Sequence, residues 1–295
     1  MPEISHVGVL GCGLMGSGIA QAAASAGFPT IVRDVEAGLL ARGEAAIVKS
    51  LAKLVEKAKV APSARDAALG NLTFTTDLER VAPCDLIVEA VTEDLALKTD
   101  LWRALDARSP ATTIFASNTS SLSIGDMAAS TARPDRFVGL HFFNPVPLMP
   151  LVEVVRGVAT SAEVFESAMR FARRLGKEPI AARDRSGFVV NRLLVPYLLD
   201  AARALEQGVG AIADIDRGMQ LGCGHPMGPL ALLDFVGLDT VVRIAEVMFD
   251  EYREPRFAPP PLLRRMVAAG RHGRKSGQGF YDYASDPPRP LDPGL

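Results

Sequence analysis

Residues of this chain that could do chemistry fall into two groups. In the first, His141 stands among aromatics at the end of one β-rich run and Glu153 stands inside the next, within RFVGLHFFNPVPLMPLVEVVR at 136–156. A carboxylate on an otherwise apolar strand needs a partner. Paired with it, an imidazole would have a fixed tautomer and a stabilised cation, and could take a proton from a hydroxyl near neutral pH. The other arrangement is a structural histidine, with Glu153 on an edge strand facing water. Nearness in the chain does not choose between them.

The second group is a G-x-G-x-x-G turn at Gly11, Gly13 and Gly16. If a pyrophosphate sits there, Gly11 serves the tight turn, Gly13 the close approach of phosphate and Gly16 the contact of helix with strand. The backbone amides of Leu14 and Met15 open the following helix and point at the phosphates. An acid, Asp34, stands 18 residues beyond Gly16 at the end of the next strand, the context that turns a common glycine pattern into a dinucleotide signature. Asp34 can accept hydrogen bonds from the adenosine ribose and would repel a 2′-phosphate, so NAD is expected over NADP. Arg33, its neighbour in an extended segment, points to the opposite face.

The elements that must position these groups follow from periodicity. A strand over 4–10, a helix over 14–26 and a strand over 30–32 frame the turn. A helix over 36–59 carries Leu40, Ile47, Leu51, Leu54 and Ala58 on one side and Lys49, Lys53 and Lys57 on the other, with Ser50 in line with Lys57. A solvated basic face explains those lysines as well as a ligand does. Strands over 72–75, 85–89 and 113–116 continue the pattern, and the helix over 95–107 carries Lys98 and Trp102. Glu93 and Ser117 stand just past strand ends, the cofactor side of a parallel sheet, although capping and turn formation suit them equally. Thr160 to Glu163 reads as a capping box for a helix to about 175, before a strand over 178–182. From 188 onward only helices are expected, over 188–206, 212–221, 229–249 and 261–269, followed by a poorly ordered Pro-rich tail after Ser285.

The fold class is therefore α/β, a Rossmann-type and mostly parallel sheet over 1–185 followed by an all-helical domain over 186–295. Composition agrees with a two-domain soluble protein: 295 residues, 48% apolar, 22% charged, and a net charge of −2 that gives no bias toward nucleic acid. The 3 cysteines are scattered, suggesting neither a disulfide framework nor a metal cluster, and a cytoplasmic location is expected. No secretory signal is expected before the first strand, and no membrane span is expected, since no apolar run is long enough for one. Helices apolar over much of their circumference call for a neighbour, most simply a second copy in a homodimer.

The chain resembles the L-3-hydroxyacyl-CoA dehydrogenases, most of all their bacterial 3-hydroxybutyryl-CoA branch, over essentially its whole length. The carriers are GCGLMGSGIAQ at 11–21, DLIVEAVTEDLALK at 85–98, ASNTSSLSI at 116–124 and HFFNPVPLMPLVEVV at 141–155. Further on come the spaced Asp184, Gly187, Phe188, Asn191, Arg192 and Pro196, then GHPMGPLALLDFVGLDT from Gly224 and GRKSGQGFYDY from Gly273. The resemblance implies NAD as cofactor and an acyl-CoA thioester as substrate. It implies His141 as general base with Glu153 orienting it, and Ser117 and Asn191 holding the substrate's 3-oxygen. Asn144 would touch the surroundings of His141 and the nicotinamide end. Glu93, Lys98, Lys275 and the backbone of Ala90 would line the NAD site, and Ser50 and Lys57 would contact the CoA. Three positions depart from the family's usual pattern: Cys12 for a small Ala, Val35 for a polar residue, and Ser276 for a frequent Thr.

Overall fold

Short apolar runs without polar alternation cannot turn a face to water, so they are found mid-sheet with both sides covered. β1 (Val7–Leu10), β4 (Leu86–Glu89) and β5 (Ile114–Ser117) are such runs, buried at every residue. The computed structural model describes residues 3–291. In it these strands join β2 (Thr30–Arg33), β3 (Leu72–Thr75), β6 (Phe137–Phe142), β7 (Leu151–Arg156) and β8 (Glu178–Arg183) in an 8-stranded sheet. The strand order is β3-β2-β1-β4-β5-β6-β7-β8.

Every neighbouring pair is parallel except β6 with β7, which run antiparallel and place His141 opposite Glu153. Parallel partners need a crossover, and helices supply it: α1 (Leu14–Ser25), α2 (Ala37–Glu56), α3 (Pro62–Gly70), α4 (Leu95–Asp106), α5 (Ile124–Ala129) and α6 (Ala162–Arg174). Between β6 and β7 the Pro-punctuated loop is enough. The antiparallel step thus brings a base and a carboxylate, 12 residues apart in the chain, to facing positions.

Two helix ends differ from the sequence expectation. α2 stops at Glu56 instead of reaching 59, because Ala58 takes a left-handed φ of 52°. The Ala58 amide then bonds the Val55 carbonyl and the Lys59 amide the Leu54 carbonyl, a Schellman end in which Lys57 is the cap. At α6 the cap is Ser161, whose hydroxyl accepts the Val164 amide at 3.3 Å, and not Thr160. Thr160 is buried and donates to the Phe137 carbonyl at 2.6 Å, so it belongs to the sheet.

The chain divides at Arg185 and Ser186 into two units, each with its own apolar core. In the first, side chains such as Ile19, Val88, Leu140 and Phe171 pack on the sheet. The second consists mainly of α7 (Val190–Glu206), α8 (Ile212–Cys223), α9 (Pro229–Val236), α10 (Leu238–Tyr252) and α11 (Pro261–Ala268). The single helix expected over 229–249 is two, since Gly237, with φ of 99°, breaks it. The helical unit also ends in a small ribbon of β9 (Tyr281–Asp282) and β10 (Arg289–Pro290), so part of the tail expected to lack order is paired. Residues 292–295 of that tail lie outside the described residues. Among the described residues no helix is long and apolar enough to cross a membrane.

Candidate active site

The glycine turn is built so that Gly11 and Gly16 are needed for separate reasons, while the space beside Gly13 is open. Gly11 has φ of 91°, and a Cβ there would lie 2.6 Å from the Ala90 carbonyl oxygen. A Cβ on Gly16 would stand 1.9 Å from the Gly11 carbonyl oxygen, so the first turn of α1 can lie on the loop only with glycine there. A Cβ on Gly13 would meet nothing within 4 Å: the space before α1 is open. That helix start has no side-chain cap and no acid in its first turn, and Leu14 beside it is exposed. Open space, bare amides and the positive end of a helix fit a dinucleotide pyrophosphate. At the end of β2, Asp34 accepts the Cys12 amide through Oδ2 and the Val35 amide through Oδ1, both at 2.7 Å. Its carboxylate is thereby clamped to the turn. Arg33 donates to the Thr76 carbonyl at 3.2 Å.

Cys12 is a packing residue. It is buried, and a Cβ on Gly43 of α2 would lie 2.2 Å from its sulfur, so the turn and α2 meet at an interface that admits no larger residue. Burial first, then the charges of Asp34 and Glu44, push its thiol up to about 11, which keeps it protonated and inert. Of the other departures, Val35 is exposed, and Ser276 accepts the His272 amide at 2.8 Å within its turn.

Beyond the ends of β4 and β5 lies a buried ionic network. Lys98, 1% exposed, reaches Glu89 at 2.9 Å and Glu93 at 2.6 Å. Glu89 also accepts the Val91 amide at 2.8 Å and the Ser117 hydroxyl at 2.7 Å. Glu93 also accepts the Thr119 hydroxyl and the Ser120 amide. Burial works to raise the Glu93 carboxyl, but the Lys98 charge and these hydrogen bonds outweigh it and hold the group below its ordinary value.

This network corrects one expectation. Ser117 is 0% exposed, with its hydroxyl donated to Glu89 and accepting from the Thr119 amide, so it has no surface on which to hold a substrate oxygen. Ser120, in the same turn, is a half-buried serine. The repeated serines of SNTSS concealed the difference, because only burial separates them. Glu89 escaped notice too. The signal was present: a carboxylate closing the apolar run LIVE needs partners as much as Glu153 does.

At the end of β6, His141 Nδ1 lies 2.6 Å from Glu153 Oε2, with the histidine 7% exposed and the glutamate fully buried. Of the chain's 4 histidines only His141 is buried. The Phe142 amide donates to Asn118 Oδ1 at 2.9 Å, which ties the turn after β5 to the strand carrying His141. Asn144 is exposed in the following loop, and Lys177, donating to the carbonyls of Val146 at 2.6 Å and Met149 at 2.8 Å, holds that loop down.

The remaining predicted residues are on α2 and in the second unit. Ser50 is half-buried on α2, and Lys57 is exposed at its cap. In the second unit, Asn191 is half-buried in the first turn of α7, and Lys275 pairs with Asp239 at 2.5 Å.

Two family models match in tandem. That of "3-hydroxyacyl-CoA dehydrogenase, NAD binding domain" covers residues 6–185, and that of the C-terminal domain covers 187–283. A 3-hydroxybutyryl-CoA dehydrogenase of Mycobacterium tuberculosis is 50% identical over 282 residues, which are 95% of this chain and 99% of that one. The mitochondrial hydroxyacyl-coenzyme A dehydrogenase of Sus scrofa is 46% identical over 95% of this chain and 91% of its own length. The crystal structure of (S)-3-hydroxybutyryl-CoA dehydrogenase from Ralstonia eutropha superposes with a TM-score of 0.93 at 42% identity, covering 96% of this chain and 100% of the other.

Proposed function

Since this chain belongs to the 3-hydroxyacyl-CoA dehydrogenase family, we propose that it reversibly oxidises an L-3-hydroxyacyl-CoA, 3-hydroxybutyryl-CoA before others, to the 3-ketoacyl-CoA. The observation that carries this reading is the 2.6 Å pair of His141 and Glu153 on adjacent strands of a sheet whose first turn is built for a dinucleotide. When bound, NAD supplies the hydride acceptor, a chemistry no side chain offers.

His141 takes the proton of the 3-hydroxyl at Nε2 as the carbon–oxygen bond becomes a carbonyl. Glu153 on Nδ1 fixes the tautomer and stabilises the imidazolium until the proton leaves for water. In the reverse direction the same imidazolium returns the proton. Ser120 holds the 3-oxygen, with Asn191 the second polar group that the family likeness implies; Asn144 stands at the nicotinamide end; Glu93 and the Ala90 backbone line the cofactor site, with Lys275 implied there by the same likeness and the buried Lys98 pairing with Glu93. The clamped carboxylate of Asp34 selects NAD over NADP by repelling a 2′-phosphate. Ser50 and Lys57 meet the CoA, whose length and negative charge suit the lysine side chains at that end of α2. The exposed apolar side chains of the helical unit support a homodimer through that unit.

The rival is a dehydrogenase of small free hydroxy acids on the same scaffold, which would have no use for Lys57. A steady-state comparison of acetoacetyl-CoA with free acetoacetate, using NADH, separates the two. The thioester should be reduced far more efficiently. Lys57→Ala should raise its KM roughly three- to thirtyfold, less at high salt, with kcat nearly kept. His141→Ala should lower kcat by at least about 100-fold while NADH still binds. Free acetoacetate reduced as well as the thioester would end the CoA assignment, and near-native kcat in His141→Ala would end the mechanism.

A further inference from the structure

The network of Glu89, Lys98 and Glu93 has more order than turn-holding requires. Each contact to its carboxylates is a donor: Lys98 Nζ, the Val91 amide and the Ser117 hydroxyl for Glu89, and Lys98 Nζ, the Thr119 hydroxyl and the Ser120 amide for Glu93. Two acidic side chains thus share one basic one, the Lys98 ammonium that lies between them. With Lys98 as the counter-ion, the network carries one negative charge in excess. Glu89 and Lys98 are essentially without solvent contact, so that charge is poorly screened.

Its place in the sheet gives the charge a target. Glu89 ends β4 and Ser117 ends β5, between the glycine turn after β1 and His141 near the end of β6. Asp34 closes β2 on the other side of that turn. A dinucleotide whose pyrophosphate lies at the turn and whose adenosine reaches Asp34 must send its other half across β4 and β5 to meet His141. The nicotinamide is cationic when oxidised and neutral when reduced. β4 and β6 are two strand spacings apart, about 10 Å, which sets the scale of the separation between the excess charge and a ring that reacts beside His141.

We propose that the buried Glu89–Lys98–Glu93 network tunes the relative affinity for the two oxidation states of the cofactor, shifting it toward the cationic nicotinamide by its uncompensated negative charge. This rests on the NAD reading given above and adds an electrostatic role for Glu89, a residue that need not touch the ligand. A unit charge at that distance in a protein-like dielectric is worth roughly three- to twentyfold in affinity.

The test uses the full-length protein and binding alone. Dissociation constants for NADH, from its fluorescence on binding, and for NAD, from calorimetry, are measured for the wild type, Glu89→Gln and Glu93→Gln, with thermal melts as a check on folding. Glu89→Gln keeps the shape and removes the charge. The ratio of the NAD constant to the NADH constant should rise roughly three- to twentyfold, and each tenfold rise moves the potential of the bound couple up by about 30 mV. Glu93→Gln should move the ratio in the same direction by less, because its side chain is 22% exposed and partly screened. If Glu89→Gln does not fold, Glu93→Gln decides alone. A change that weakens both cofactors equally would mean that the network only holds the turns in place, and would overturn the proposal. Wild-type protein that binds neither dinucleotide would instead sink the NAD reading on which it stands.

Discussion

Ser117 and Ser120 are three residues apart, yet one hydroxyl is sealed against Glu89 and the other is half-open in the turn. The difference can be measured. Ser120→Ala should lower kcat/KM for acetoacetyl-CoA by roughly ten- to a hundredfold, since a hydrogen bond to the developing charge on the 3-oxygen is lost, with little change in melting temperature. Ser117→Ala should do the opposite. It removes one donor from a buried carboxylate and should cost about 1–3 kcal/mol of stability, with the chemical step largely kept. If Ser117→Ala lost activity as deeply as Ser120→Ala at unchanged stability, the two assignments would have to be exchanged. The same distinction explains Cys12, whose chemistry is removed by burial while its bulk sets how closely α2 approaches the turn.

At the scale of elements, Glu93 joins the loop after β4, the first turns of α4 through Lys98, and the turn after β5 through Thr119 and Ser120. Its carboxyl is held below the ordinary 4.5 despite burial, chiefly by the Lys98 charge. A carboxyl depressed on folding stabilises the native state above its unfolded value, and that contribution is lost as pH falls through the folded value. The wild type should therefore melt higher than Glu93→Gln near neutral pH, and the gap should close as the pH drops below about 4.5. A gap that stays constant from pH 7 to pH 3 would show that the carboxylate charge is not what joins these elements.

For the whole molecule, the question is what covers the helical unit. Leu193 on α7 is 71% exposed and Leu221 on α8 is 68% exposed, an unusual outlay of large apolar side chains for a surface that meets only water. A homodimer through this unit predicts that the full chain elutes with twice its monomer mass in light scattering. Residues 1–185, which hold a complete core of their own, should then run as a monomer and retain NADH. A dimeric fragment would move the interface to the sheet-bearing unit.

Periodicity and composition were sufficient for the α/β order of the first unit, the helical character of the second and the dinucleotide turn, because those depend on local spacing: apolar runs, glycines at fixed offsets and an acid at the next strand's end. The facing of His141 and Glu153 was only one of two open readings. It became geometry when β6 and β7 paired antiparallel in that register, a choice made by the sheet and not by either residue. Likewise, four hydroxyls in SNTSS look alike in sequence, and only their burial and the bond of Ser117 to Glu89 tell them apart. The end of α2 at Lys57 and the break at Gly237 depended on left-handed backbone at Ala58 and positive φ at Gly237. Burial, register and the sign of a backbone angle are properties of the assembled chain, and for this protein they decide which of several similar side chains is left able to act.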